Sequence, residues 1–226
     1  ALGKITNTGN ANIKLDDPHD LAQLKTINDA TNGSITFNDA SVKLSGSVAD
    51  VGAALAGITG YTGNVDITDD GSDISATALT AIANATNKTP VIKNTPNIKG
   101  NAADVVTALG KITNTGHANI KLDNAHDTTQ LKTINDATNG SITFNKNDVA
   151  LKGTAAVVTA ALDGVTGYKG AITLDNAHNQ DQLIAINNAT DGSITFADKS
   201  VKLSGSVADV GAALDGVTGY TGNVDI

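Results

Sequence analysis

The chain lacks cysteine, so it can build neither a disulfide framework nor a thiolate metal site, and its redox compartment is left undetermined. Arginine, glutamate, methionine and tryptophan are missing as well. There is no guanidinium group, and 23 Asp against 15 Lys give a net charge of −8 scattered along the chain. Phosphate-backbone binding is therefore disfavoured by sign and by chemistry, and nucleic acid is not an expected partner. Aromatic residues amount to 3% of the sequence and hydrophobic residues to 40%, so the core has to be assembled from Ala, Val, Ile and Leu. Small side chains of that kind suit thin stacked layers better than one large globule. No apolar run approaches the ~18 residues of a membrane span, and the first residues lack the charged and apolar regions of a signal peptide.

What is present in quantity is repetition. Residues 1–16 return at 108–123 with one substitution, Asn10 to His117; residues 24–38 return at 131–145, and 42–55 at 201–214. The offsets of 107, 107 and 159 are two, two and three periods of about 53 residues. About four and a quarter copies fill the chain, with no separate catalytic domain between them. Ala1 corresponds to Ala108, which follows Val105-Val106-Thr107 in an apolar-periodic segment, so a helix is expected to be in progress at Ala1. The last residues, Asn223 to Ile226, match a copy at Asn64 that runs straight on. Residues 1–226 are thus expected to be one continuous piece of a longer array, cut at both ends.

Two kinds of helix alternate within a period. The first has an Asp or Asn cap with Gln three residues later and a glycine at its end able to take positive φ: Asp20, Gln23 and Gly33; Asp127, Gln130 and Gly140; Asn179, Gln182 and Gly192. The second pairs Ser47 with Asp50, Asn101 with Asp104 and Ser206 with Asp209 at its entrance, and ends in segments such as Ile58-Thr59-Gly60. Helices of about ten to twelve residues are too short to persist alone, so neighbouring copies must hold them.

Short alternating β-branched segments separate the helices: 34–37, 141–144 and 193–196, and also 13–15, 120–122 and 172–174. Their period of two marks half-buried strands. Strand, helix and strand in succession make a repeated βα unit with right-handed crossovers. The expected fold is therefore α/β: a right-handed αβ-solenoid, leucine-rich-repeat-like, with a parallel sheet backed by short helices. Its strand-helix coils alternate between about 22 and about 30 residues, as in 171–192 and 141–170. The longer coil holds an additional strand at 42–44 or 201–203, reached through four residues such as 38–41. That loop is either a corner between two sheet faces or a hairpin turn; the corner is favoured, because a hairpin would reverse the chain in every period.

The pattern looks like the solenoids of leucine-rich-repeat type, although the L-x-x-L-x-L-x-x-N ladder is missing. It more closely resembles the Ala/Thr/Asn/Asp/Gly-rich tandem repeats of giant bacterial cell-surface and adhesin-like proteins, in strands such as Gly33-Ser-Ile-Thr-Phe37 and helices such as Ser47-Val-Ala-Asp-Val-Gly-Ala-Ala-Leu55. The resemblance covers the whole chain. It implies a secreted or surface-displayed array and specifies no ligand.

Candidate chemistry is sparse. His19, His126 and His178 occupy one repeat position just before the helix cap. Equivalent positions lie roughly 10 Å apart in such a stack, too far for two imidazoles to reach one zinc at about 2.1 Å, so packing at the helix entrance is expected of them. Tyr61, Tyr168 and Tyr220 recur after Thr-Gly and are expected to pack back on the last helical turn rather than form a sugar platform, and Phe37, Phe144 and Phe196 to pack as well. Asn32 and Asn139 match the glycosylation acceptor, yet Asn-Gly also serves simply as a helix stop. One segment breaks the period by a three-residue insertion and places Asp66, Asp69, Asp70 and Asp73 within eight residues. These four carboxylates are candidate calcium ligands, though the spacing departs from the D-x-[DN]-x-[DN]-G loop and no Glu follows. The competing reading is an acidic loop that caps the next helix through Asp73 or Ser75. Nearby, Pro90 and Pro96 are expected at strand starts, where no amide donor is needed.

No nucleophile beside a base, no phosphate-cradling loop and no paired catalytic carboxylates stand out, so catalysis is not expected. The copies differ mostly at positions expected to be exposed, among them Asp17 against Asn124 and Asn176. The expected role is structural and extracellular: a stretch of stalk, fibre or surface-layer component whose partners are other copies or flanking repeats. The alternative is an adhesin module that binds surface glycans or depends on calcium.

Overall fold

The computed structural model describes residues 10–114 and 117–226. The helix end expected at Ala1 lies outside them. The chain is α/β, and every described strand pairing is parallel. In chain order the elements are β1 (Ile13–Leu15), α1 (Leu21–Asp29), β2 (Ile35–Phe37), β3 (Leu44–Gly46), α2 (Val48–Ala54), β4 (Val65–Ile67), β5 (Asp73–Ser75) and α3 (Ala76–Ala85). There follow β6 (Val91–Ile92), β7 (Asn97–Gly100), α4 (Ala102–Leu109), β8 (Thr113–Asn114), β9 (Asn119–Leu122), α5 (Thr128–Asp136) and β10 (Ile142–Phe144). The last are β11 (Leu151–Gly153), α6 (Ala155–Ala161), β12 (Ile172–Leu174), α7 (Gln180–Ala189), β13 (Ile194–Phe196), β14 (Leu203–Ser204), α8 (Val207–Leu214) and β15 (Val224–Asp225).

The chain divides into two compact units, Ala1–Gly100 with Thr107–Asn119, and Asn101–Val106 with Ile120–Ile226. In the first, β1 pairs β2, β5 pairs β7, and β3, β4, β6 and β8 form a sheet in that order. In the second, β9 pairs β10, β11, β12 and β13 form a sheet in that order, and β14 pairs β15. The loop after β2 is therefore a corner: β2 and β3 lie in different sheets, each paired in parallel with another strand. β3 and β14 begin at Leu44 and Leu203, later than the strands expected at 42–44 and 201–203, because the Val42 and Val201 carbonyls are engaged by side chains described below.

Register corrects the expected alternation of coil sizes. Ile13 stacks on Ile35 and Ile172 on Ile194, 22 residues apart, and Leu151 stacks on Ile172, 21 apart. Ile142 does not stack on Ile172, 30 residues on, because the corner hands the chain to β11 and the next layer builds on that strand. The 30-residue spacing is one winding of near-constant length plus a corner.

The helices are shorter than expected, seven to ten residues, and their caps explain where they begin. Asp20, Asp127 and Asn179 form reciprocal capping boxes with Gln23, Gln130 and Gln182. Ser47 and Ser206 accept from the backbone N–H of Asp50 and Asp209. Glycine acts differently from expectation in the first kind of helix. Gly33 and Gly192 are not in the left-handed region; they permit close approach, since a Cβ at Gly33 would lie 2.2 Å from the Ala11 carbonyl oxygen and one at Gly192 2.1 Å from that of Gly170. Pro90 and Pro96 stand immediately before β6 and β7, as expected.

The core is aliphatic, with Leu24, Leu44, Ile67, Leu79, Ile92, Ile98, Ile120, Leu131 and Leu183 closed to solvent. Each layer contributes a few small side chains, and the two largest fully buried residues are Tyr61 and Tyr168. Their placement defines the site.

Candidate functional site

Each tyrosine follows a glycine at positive φ, Gly60 or Gly167, and the chain then runs close over the preceding layer. There the Tyr61 hydroxyl donates to the Val42 carbonyl at 2.8 Å, that of Tyr168 to Val149 at 2.8 Å and that of Tyr220 to Val201 at 2.6 Å. The same carbonyls face glycines two residues beyond the tyrosines: a Cβ at Gly63 would lie 1.9 Å from the Val42 oxygen, and one at Gly170 1.8 Å from that of Val149. The Tyr-x-Gly spacing is thereby explained. Tyrosine bonds the carbonyl and glycine lets the backbone pass over it.

The histidines complete the arrangement. Nε2 of His19 lies 2.9 Å from the Tyr61 hydroxyl, that of His126 2.7 Å from Tyr168 and that of His178 3.0 Å from Tyr220. Since the hydroxyl proton is committed to the valine carbonyl, Nε2 must carry the hydrogen and donate, which leaves Nδ1 as the bare nitrogen. Nδ1 of all three rings is buried and has no hydrogen-bond partner. A phenylalanine closes each group: ring centroids of Phe37, Phe144 and Phe196 lie 5.1, 5.0 and 4.7 Å from their histidines, and the tyrosine rings meet the phenylalanines edge-on.

Burial sets the protonation. It lowers the pKa of His19 against the opposing pull of Asp39 and Asp20, that of His126 against the Asn124 carbonyl and Asp127, and that of His178 against the Asn176 carbonyl and Asp198. Burial pushes the Tyr61 hydroxyl up to about 12, with Asp39 adding to the effect, and raises Tyr168 and Tyr220 in the same direction. Such a group is a structural clamp: neutral, closed to substrate and satisfied except at one nitrogen. The packing expected of the histidines and tyrosines is correct in kind, but the bond between them was not read. Its signal is the constant 42-residue separation in all three copies. The copy without the clamp makes the same point, since Ile74 precedes the α3 cap and Ile92 stands in the phenylalanine register, both buried.

Two further sets of amides tie layers together. Nδ2 of Asn28 donates to the carbonyls of Ala53, Ala54 and Ala56, that of Asn135 to Ala160, Ala161 and Asp163, and that of Asn187 to Ala212 and Asp215. One side chain thus caps the C-terminus of the following helix. At the other end, Asp69 accepts from the Val48 N–H, Asn124 from Ala102 and Asn176 from Ala155. Asn124 and Asn176, expected to be merely exposed, are caps for neighbouring helices.

The four carboxylates of the insertion are dispersed. Asp66, buried on β4, meets the Lys43 ammonium at 2.7 Å and that of Lys93 at 3.8 Å. Asp69 caps α2, Asp70 accepts from the backbone and hydroxyl of Thr95, and Asp73 accepts from the Asn97 amide at 3.0 Å. Ser75 rather than Asp73 caps α3. Among the described residues no group of three or more His, Cys, Asp or Glu side chains converges on a point where a metal ion would sit, and no described helix is long and apolar enough to cross a membrane.

No protein-family model, curated protein or solved structure matches the chain.

Proposed function

We propose that the chain is a stretch of right-handed αβ-solenoid that serves as a stalk, fibre or surface-layer component of an extracellular array, held by contacts with other copies or flanking repeats. The supporting observation is the near-constant stacking register inside each unit, from 21 residues between Leu44 and Val65 to 25 between Asp66 and Val91. Clamps and caps join one layer to the next at equivalent positions, which is the bonding pattern of a quasi-one-dimensional stack. In such a stack length grows with copy number while stability per copy stays nearly constant. The outer layer of α8 and β15 favours the addition of further layers: Val207 is 68% exposed and Ile226 78%, where their counterparts Val48 and Ile67 are 6% and 0% exposed.

Small-angle scattering on chains of one, two and three tandem copies tests the reading. The maximum dimension is expected to rise in proportion to copy number at constant cross-section. Growth as a compact body, with radius scaling as roughly the 0.38 power of length, overturns it. A glycan array is expected to show no selective hit, and selective binding would replace the spacer role with an adhesin one.

A further inference from the structure

The clamps contain three imidazoles at 6%, 5% and 5% exposure, each with an Nδ1 lone pair that faces no donor and no water. Their other nitrogen is committed to a tyrosine 42 residues away, so each ring bonds a helix entrance to a strand approach in a later winding. We propose that these clamps are an acid-release device: a proton added at Nδ1 of His19, His126 or His178 has no partner in the closed site, so the clamp to Tyr61, Tyr168 or Tyr220 opens and the local stack loosens.

The charged surroundings were considered on every side. Asp20 on the helix cap and Asp39 in the corner loop face His19, and Asp39 is already bonded to the backbone and hydroxyl of Ser41. Asp127 faces His126, with Asp148 acting on its tyrosine; Asp198 faces both His178 and Tyr220 and is likewise held by Ser200. These carboxylates and the Asn124 and Asn176 carbonyls favour a charged ring, but loss of solvent outweighs them in all three copies. The ring stays neutral while folded and takes up its proton when the site opens.

The direction of the effect follows from linkage. An imidazole that binds a proton more readily unfolded than folded contributes its full stability above about pH 6.5 and loses it as pH falls below that value. The loss levels off once pH passes the depressed folded value. Asp39 and Asp198, whose bonds to serine lower their pKa, lose their contribution only at much lower pH, below the ordinary carboxylate range. The two acid effects are separable in pH.

The test is equilibrium unfolding in urea of the whole chain between pH 7.5 and 5.0, compared with the variant carrying H19Q, H126Q and H178Q. Glutamine keeps an N–H for the tyrosine hydroxyl and cannot titrate. The folded-to-unfolded ratio of the parent is expected to fall toward pH 5.0, by up to about thirtyfold per ring, the limit for an imidazole that stays neutral when folded and has an ordinary pKa of 6.5 when unfolded. The variant is expected to stay level across that range. Equal pH slopes in the two proteins overturn the proposal. Should the triple variant fail to fold, imidazole NMR of the parent decides: each clamp ring is expected as the Nε2–H tautomer, titrating below pH 6.5 and together with loss of its Tyr contact. A clamp ring that titrates at 6.5 or above in an unchanged folded spectrum overturns it.

Discussion

At Tyr61 and Tyr168 a single hydroxyl serves two partners in a site closed to water, accepting from an imidazole and donating to a valine carbonyl. Tyr61→Phe or Tyr168→Phe removes one oxygen and leaves both partners unpaired, so each is expected to cost about 1–3 kcal/mol in urea unfolding. Tyr220→Phe is expected to cost less, because Tyr220 is partly exposed and water can replace the lost hydroxyl. Equal losses at all three would mean that the hydroxyl's value lies in something other than burial. Part of this was legible in the sequence: three histidines, three tyrosines and three phenylalanines at equivalent repeat positions predict packing. Their bonding was not, because hydrogen bonds between residues 42 apart depend on which winding lies over which, and register is a tertiary property.

Among the elements, helix starts were the most legible part, since Ser, Asp and Asn with a partner three residues on satisfy a local geometry. Helix ends were less so. The last turns are capped by Asn28, Asn135 and Asn187 from another helix, a contact with no local signature. That contact also makes a sharp test. Asn135→Ala removes the donor and leaves carbonyls of α6 open to solvent, with an expected cost of about 1 kcal/mol. Asn135→Asp sets a carboxylate against carbonyls at the negative end of a helix and is expected to cost more than alanine at pH 7. It should recover toward the alanine value as the carboxyl is protonated near pH 4. Amide exchange in α6 reports both effects, and an Asp variant no worse than the Ala variant would show that the amide acts by shape alone. The insertion teaches the complementary lesson. Four aspartates close in sequence drew attention to calcium, but a chain that turns from β4 into β5 sends Asp66 to two lysines, Asp69 to α2, Asp70 to Thr95 and Asp73 to Asn97.

At the scale of the whole molecule, repetition permits an internal comparison that a unique fold does not. Val48 and Val207 are the same residue at the same position of the same helix, 6% exposed in one copy and 68% in the other; Val65 and Val224 stand at 1% and 40%. The difference measures what a covering layer does, since the segments around them are nearly identical. Val48→Lys buries an ammonium in an aliphatic layer and is expected to cost about 3 kcal/mol or more. Val207→Lys and Ile226→Lys are expected to stay within about 0.5 kcal/mol of the parent, because the lysine stem lies on the surface and its charge remains in water. The same two substitutions decide whether the face recruits another layer. Sedimentation of the parent at rising concentration is expected to show association, and the double lysine variant is expected to remain monomeric, since charge on an apolar stacking face opposes its burial. A parent that is monomeric throughout the range would remove the support that this layer lends to an end-to-end array, whereas association that survives both lysines would move the contact to another surface.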